Sequence, residues 1–207
     1  MVANIDYYGI VTSGLTFAVD ASYASSYPQS GLTWYDLTKN GNNVSQSNSA
    51  RFIYNSTSGG TLLINAVTNT SATTNNISAT TYTYCAFVNV SSSLVNSQVI
   101  GTSDTNTFSS TGATTSGPSL WVNTQGSTPA VGFNSLFVQL PAASAFTNSW
   151  KYMVGVQDAT TQYFYVNGVL SGTSATTLTS GSSATLQIGY NTTKTTTMSG
   201  ASFQIYN

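Results

Sequence analysis

The chain has no histidine and no glutamate, and only 4% of its 207 residues carry charge, against roughly 25% in ordinary soluble domains. The charged positions are few enough to name: Asp6, Asp20, Asp36, Asp104 and Asp158, with Lys39, Arg51, Lys151 and Lys194. Each absence excludes a chemistry. A serine triad has no histidine to act as its base. The single cysteine, Cys85, has no basic neighbour in sequence to lower its pKa, so it reads as a buried, inert thiol. Zinc lacks its ligands. Hydrolysis of a glycosidic bond needs two carboxyl groups held about 5–10 Å apart, and the five aspartates are scattered, no two within a strand's length. Four scattered basic residues cannot track a phosphate backbone, so nucleic acid is not expected as a partner. No apolar run approaches the ~18 residues of a membrane helix, and Met1–Asp6 lacks the basic start of a signal peptide. The expectation is a protein that is not an enzyme, uses no cofactor and does not enter a membrane.

What is present is a β pattern. Aromatic residues make up 12% of the chain and fall in alternating runs, which disordered segments lack. Trp150–Gln157 alternates with period two, with Tyr152, Val154 and Val156 on one side and Met153, Gly155 and Gln157 on the other. Asp158–Thr161 is a polar break. Tyr163–Val166 is aromatic and β-branched, and Asn167-Gly168 between two valines is the strongest short hairpin signal a sequence offers. Trp150 and Tyr152 are expected to open a buried strand, and Tyr163 and Tyr165 to alternate on another. Tyr82–Val90 reads as a long central strand with Tyr82, Tyr84 and Ala86 on one face. No stretch of helical period with caps is found. Residues 14–207 read as one sandwich domain. Residues 1–13, with Ile5, Tyr7, Tyr8, Ile10 and Val11, read as an edge strand or an arm that packs on a neighbouring copy.

The order of these motifs carries a resemblance. The Trp-opened strand, the aspartate turn, the Tyr-Val-Asn-Gly hairpin ending at Gly168, Ile188-Gly189-Tyr190 and the closing Gly200–Asn207 resemble the laminin-G-like branch of the concanavalin A-like lectin/glucanase superfamily. Gly14–Ala21, Ser26-Tyr27-Pro28, Gly31–Leu37 and Asn40–Asn43 are similar to the opening of such domains in tailed-phage proteins. The resemblance implies a jelly-roll sandwich of two antiparallel sheets. It implies no single function, because that sandwich serves glycan binders, hydrolases and structural modules alike.

Two functional expectations follow. The first is a structural protein on the virion surface of a tailed phage, a capsid decoration or cement protein that docks on the major capsid protein or other virion proteins and forms homo-oligomers. The second is a carbohydrate-binding module for host polysaccharide. A glycan site needs an exposed aromatic flanked by amides, and Trp121, beside the long Asp104–Pro118 loop, is the candidate platform. No metal is expected; a weak calcium site on Asp36 and Asn40 is the alternative, set against ordinary turn hydrogen bonding by the same two residues.

Overall fold

A computed structural model describes residues 11–46, 52–66, 71–72, 80–91, 97–101, 107–109, 112–114, 118–123, 129–175, 186–190 and 196–207. The first ten residues of the expected arm lie outside this set. The strands are β1 (Leu15–Asp20), β2 (Thr33–Trp34), β3 (Val44–Ser45), β4 (Phe52–Asn55), β5 (Thr61–Ala66), β6 (Ser71–Ala72), β7 (Tyr82–Val90), β8 (Ser97–Gly101) and β9 (Thr107–Ser109). They continue with β10 (Gly112–Thr114), β11 (Ser119–Asn123), β12 (Ala130–Phe133), β13 (Leu136–Gln139), β14 (Trp150–Gln157), β15 (Gln162–Val166), β16 (Val169–Ser174), β17 (Gln187–Tyr190) and β18 (Thr196–Tyr206).

The molecule is an all-β jelly-roll sandwich. One sheet runs β16-β15-β14-β7-β18-β5-β4, with β1 also on β18; the other runs β13-β12-β11-β8-β17-β6-β3-β2. The described pairings are antiparallel. Strand β18 is the spine of the first sheet. Its first half pairs with β5, its second half with β1, and its other side with β7 along nearly its whole length. The meander β14-β15-β16 follows the sequence signals. Asp158 Oδ1 accepts from the backbone N–H groups of Thr160 (2.8 Å) and Thr161 (2.7 Å) and so closes the first turn. Those two bonds lower the Asp158 pKa. Asn167 and Gly168 adopt φ of 52° and 78°, as a two-residue hairpin turn requires.

The core lies between the two sheets and is filled largely by rings. Trp34 meets Phe203 edge-on at 5.6 Å and Phe52 at 6.1 Å, while Phe133 of the second sheet sits 6.0 Å from Tyr82 and 6.3 Å from Tyr84 of the first. Such pairs add about 0.5–1.5 kcal/mol each beyond the area they bury. At one end the core turns polar. Asn134, left-handed at φ 52° in the β12–β13 turn, donates from Nδ2 to the Tyr82 hydroxyl (3.0 Å) and accepts at Oδ1 from the Ser119 N–H (3.0 Å). The Tyr82 hydroxyl donates onward to Gln157 Oε1 (2.9 Å). One amide thus ties the two sheets together.

Gly155 explains how the sheets come close. It faces inward from β14, and a Cβ there would lie 2.2 Å from Cδ2 of the Phe133 ring. Neither ring nor backbone has room to give, so Gly155→Ala is expected to destabilise the fold by about 1–3 kcal/mol, the usual cost of overpacking a filled core. Urea denaturation of the variant beside the wild type measures this; equal midpoints would mean that Phe133 repacks freely.

Candidate functional site

The outward face of β14 is the surprise of the fold. Met153, Gly155 and Gln157 point into the core, and Trp150, Tyr152, Val154 and Val156 point out. This corrects the expectation that Trp150 and Tyr152 open a buried strand. Tyr163 and Tyr165 likewise face outward and are half-buried, while Phe164 between them is fully buried. The reason is size. The inward positions of β14 must accommodate Phe133 and the amide cluster, which leaves the larger set outside.

Registers place these residues in rows across the sheet. Trp150 pairs with Asn89, Asn89 with Ser199, Ser199 with Leu63, and Leu63 with Ile53, one residue from each of β14, β7, β18, β5 and β4. In the next row Tyr152 pairs with Phe87, Phe87 with Ser202, and Ser202 with Asp20. The Phe87 and Trp150 rings stack at 4.9 Å with 29° between their planes. Phe87 is 37% exposed, Tyr152 40% and Ile53 46%. Beside the stack lies a shallow recess of about 180 Å³ lined by Leu63, Asn89, Ser91, Asn148, Met198 and Ser199. Asn148 is held at its rim by a left-handed φ of 55° and a bond from its N–H to the Val90 carbonyl (2.8 Å). The result is an aromatic surface edged by amides and hydroxyls, the composition that was sought around Trp121.

Charge is sparse here. Lys151 follows Trp150 but turns its ammonium towards the Phe146 ring, 5.9 Å from the centroid. Asp20 ends the second row, and its carboxylate accepts from the N–H and hydroxyl of Ser22; burial raises its pKa above the usual carboxylate value. Burial also raises the Cys85 thiol and the Tyr152 phenol, which bond to each other, so both are neutral at neutral pH. Cys85 is buried, in keeping with an inert thiol.

Trp121 is not a platform. It projects from the outer face of the second sheet yet is fully buried. Its indole lies against Gly132, where a Cβ would come within 2.4 Å of the ring, stacks on Phe137 at 6.3 Å, and donates to the Asn134 carbonyl (2.9 Å). Strands β9 and β10, within the long loop, lie along β11 and β13. Both residues of the calcium alternative are engaged by hydrogen bonds. Asp36 Oδ1 accepts from the N–H groups of Ala18 (3.1 Å) and Thr38 (3.0 Å), and Oδ2 accepts from the Thr38 hydroxyl (2.7 Å) and the Asn42 N–H (3.2 Å). Asn40 presents its Nδ2 to the Thr16 carbonyl (3.0 Å). The pair is a loop staple, and the described residues contain no cluster of three or more acidic, histidine or cysteine side chains.

Comparison with known proteins agrees with this fold. A family model described as the concanavalin A-like lectin/glucanases superfamily matches residues 65–207. Among solved structures, domain 4 of AbnA, an extracellular arabinanase of Geobacillus stearothermophilus in complex with arabinotriose, superposes with a TM-score of 0.58 at 14% identity, covering 94% of this chain and 93% of that one. The receptor-binding domain of botulinum neurotoxin type G gives 0.59 at 14% identity, with 94% of this chain and 48% of that one covered. Trypanosoma rangeli sialidase in complex with sialic acid gives 0.57 at 11% identity, with all of this chain but 33% of that one covered. The fold is therefore shared with glycan-binding domains and with chains that include glycosidases. A search of curated protein sequences finds no match.

The Asp36 staple generates a stability prediction with a metal control. Asp36→Ala takes the acceptor from the backbone N–H groups of Ala18, Thr38 and Asn42, so it is expected to lower stability by about 1–3 kcal/mol. Millimolar calcium or a chelator is expected to leave the wild-type melting temperature where it is. A rise with calcium that Asp36→Ala abolishes would restore the metal reading.

Proposed function

The chain belongs to the concanavalin A-like lectin/glucanase superfamily, and from that premise we propose that it is a non-catalytic carbohydrate-binding module that holds polysaccharide on the outer face of its first sheet. The stacked Phe87–Trp150 pair carries the reading. Sugar rings present apolar C–H faces that pack on an aromatic face, and Asn89, Asn148, Ser91 and Ser199 supply donors and acceptors for hydroxyls around it. The carboxylates favour binding over cleavage. Asp20, Asp36 and Asp158 each accept hydrogen bonds within their own turns or loops, the work of structural carboxylates rather than of the acid pair that glycoside hydrolysis demands.

A second reading, compatible with the first, is a structural protein of a tailed-phage virion that decorates or cements the capsid exterior. Two observations favour it: the likeness of Gly14–Asn43 to the opening of phage domains, and a surface on which 4% charge offers little repulsion between copies. Such a protein would dock on the major capsid protein and stabilise the shell by binding only its assembled state.

Two measurements test these readings. Trp150→Ala is expected to keep the far-UV circular dichroism of the wild type and to lose about tenfold or more in polysaccharide affinity, since one stacking platform is worth ~1–3 kcal/mol. Unchanged retention would take the site away from this face. Quantitative mass spectrometry of purified virions is expected to find this chain in a fixed, high ratio to the major capsid protein; absence from the particle would end the second reading.

A further inference from the structure

The row Trp150–Asn89–Ser199–Leu63–Ile53 crosses five strands without a charged side chain. At about 4.8 Å between neighbouring strands, it is about 19 Å long. Its chemistry changes along its length. The stacked rings stand at one end, an amide and a hydroxyl beside the recess in the middle, and two aliphatic side chains at the other end, with Ile53 46% exposed. We infer that the ligand of this face is a neutral polysaccharide lying across the strands, one sugar on the Trp150–Phe87 stack, the next units hydrogen-bonded at Asn89 and Ser199, and the last packed on Leu63 and Ile53. This inference rests on the carbohydrate-binding reading above and specifies its ligand.

Two described charges beside the row point to a neutral ligand. The ammonium of Lys151, the lysine next to Trp150 in the chain, is directed at the Phe146 ring. The carboxylate of Asp20, on the adjoining row, would repel a polyanion. The length follows from the spacing of strands. One sugar unit in an extended chain is comparable with one strand interval, so the row accommodates about four units.

The test is calorimetric titration with neutral oligosaccharides of increasing length from glucan, arabinan, mannan and galactan, and with alginate and hyaluronan as polyanions, at low salt and at about 1 M, where the Debye length falls to ~3 Å. Neutral chains of at least one series are expected to bind, with affinity rising to about four units and then levelling, and with less than about a twofold change in Kd between the two salts. Ile53→Ser is expected to weaken the four-unit ligand and to leave a disaccharide unaffected. Binding confined to polyanions and lost at high salt would overturn neutrality while keeping the carbohydrate reading. Affinity independent of length, or an Ile53→Ser loss already present with the disaccharide, would overturn the path across the strands. No binding to any saccharide, with self-association that Trp150→Ala abolishes, would overturn both and assign the face to a second copy of the chain.

Discussion

The alternation of side chains along β7, fixed on both sides by hydrogen-bonded neighbours, is the constraint on which the rest depends. Tyr82, Tyr84, Ala86, Val88 and Val90 face the core; Thr83, Phe87 and Asn89 face out. Because the strand period is two, a shift of one residue would exchange the two sets entirely. Strand β14 pairs with β7 over eight successive positions, Trp150↔Asn89 to Gln157↔Tyr82, and β18 covers the other side. The drying of one face therefore determines the other. Once Tyr84 and Ala86 are buried, Phe87 and Asn89 stand beside Trp150 and Ser199 without any further instruction.

The second sheet locks this arrangement. Gly155 admits the Phe133 ring, and the following turn delivers Asn134 to Tyr82 and Ser119. A buried amide left without partners costs about 1–3 kcal/mol, so a displacement of the β12–β13 hairpin would break several bonds together. The same hairpin holds Trp121, whose N–H reaches the Asn134 carbonyl. A tryptophan that composition offers as a binding platform is thus a fastener of the core's polar end, and the proposed binding face lies on the opposite side of the sandwich.

That exchange of roles shows where sequence reading succeeds and where it stops. The fold class, the Asp158 turn, the Asn167-Gly168 hairpin and the core face of β7 were legible because each rests on local rules: strand period, Asx bonding and positive φ. The exposure of Trp150 and Tyr152 was not legible, because both faces of Trp150–Gln157 carry large side chains and only Phe133, distant in sequence, decides which face has room. Burial of Trp121 depends in the same way on Gly132 and Phe137. Local turn hydrogen bonding by Asp36 and Asn40 was legible, but not the fact that Asp36 also accepts from Ala18 on β1.

The scarcity of charge connects the fold to its use. Edge strands generally avoid pairing with other chains by displaying charges, and neither β13 nor β16 contains one. Here shape substitutes. A bulge between Phe164 and Tyr165 breaks the register of β16, and Gly172 of β16 brings its backbone against Val138 and Leu136 of β13, so the two sheet edges close on each other. A surface built this way has almost no long-range field to steer a charged partner. It can discriminate only by contact, through stacking and hydroxyl–amide hydrogen bonds that act over a few ångströms and are insensitive to salt. Single contacts of that kind are weak, so the proposed role would draw its strength from copies acting together on a repeating ligand. A near-neutral domain with an aromatic face among its described residues fits the proposed ligand, a polymer whose units repeat as regularly as the strands beneath them.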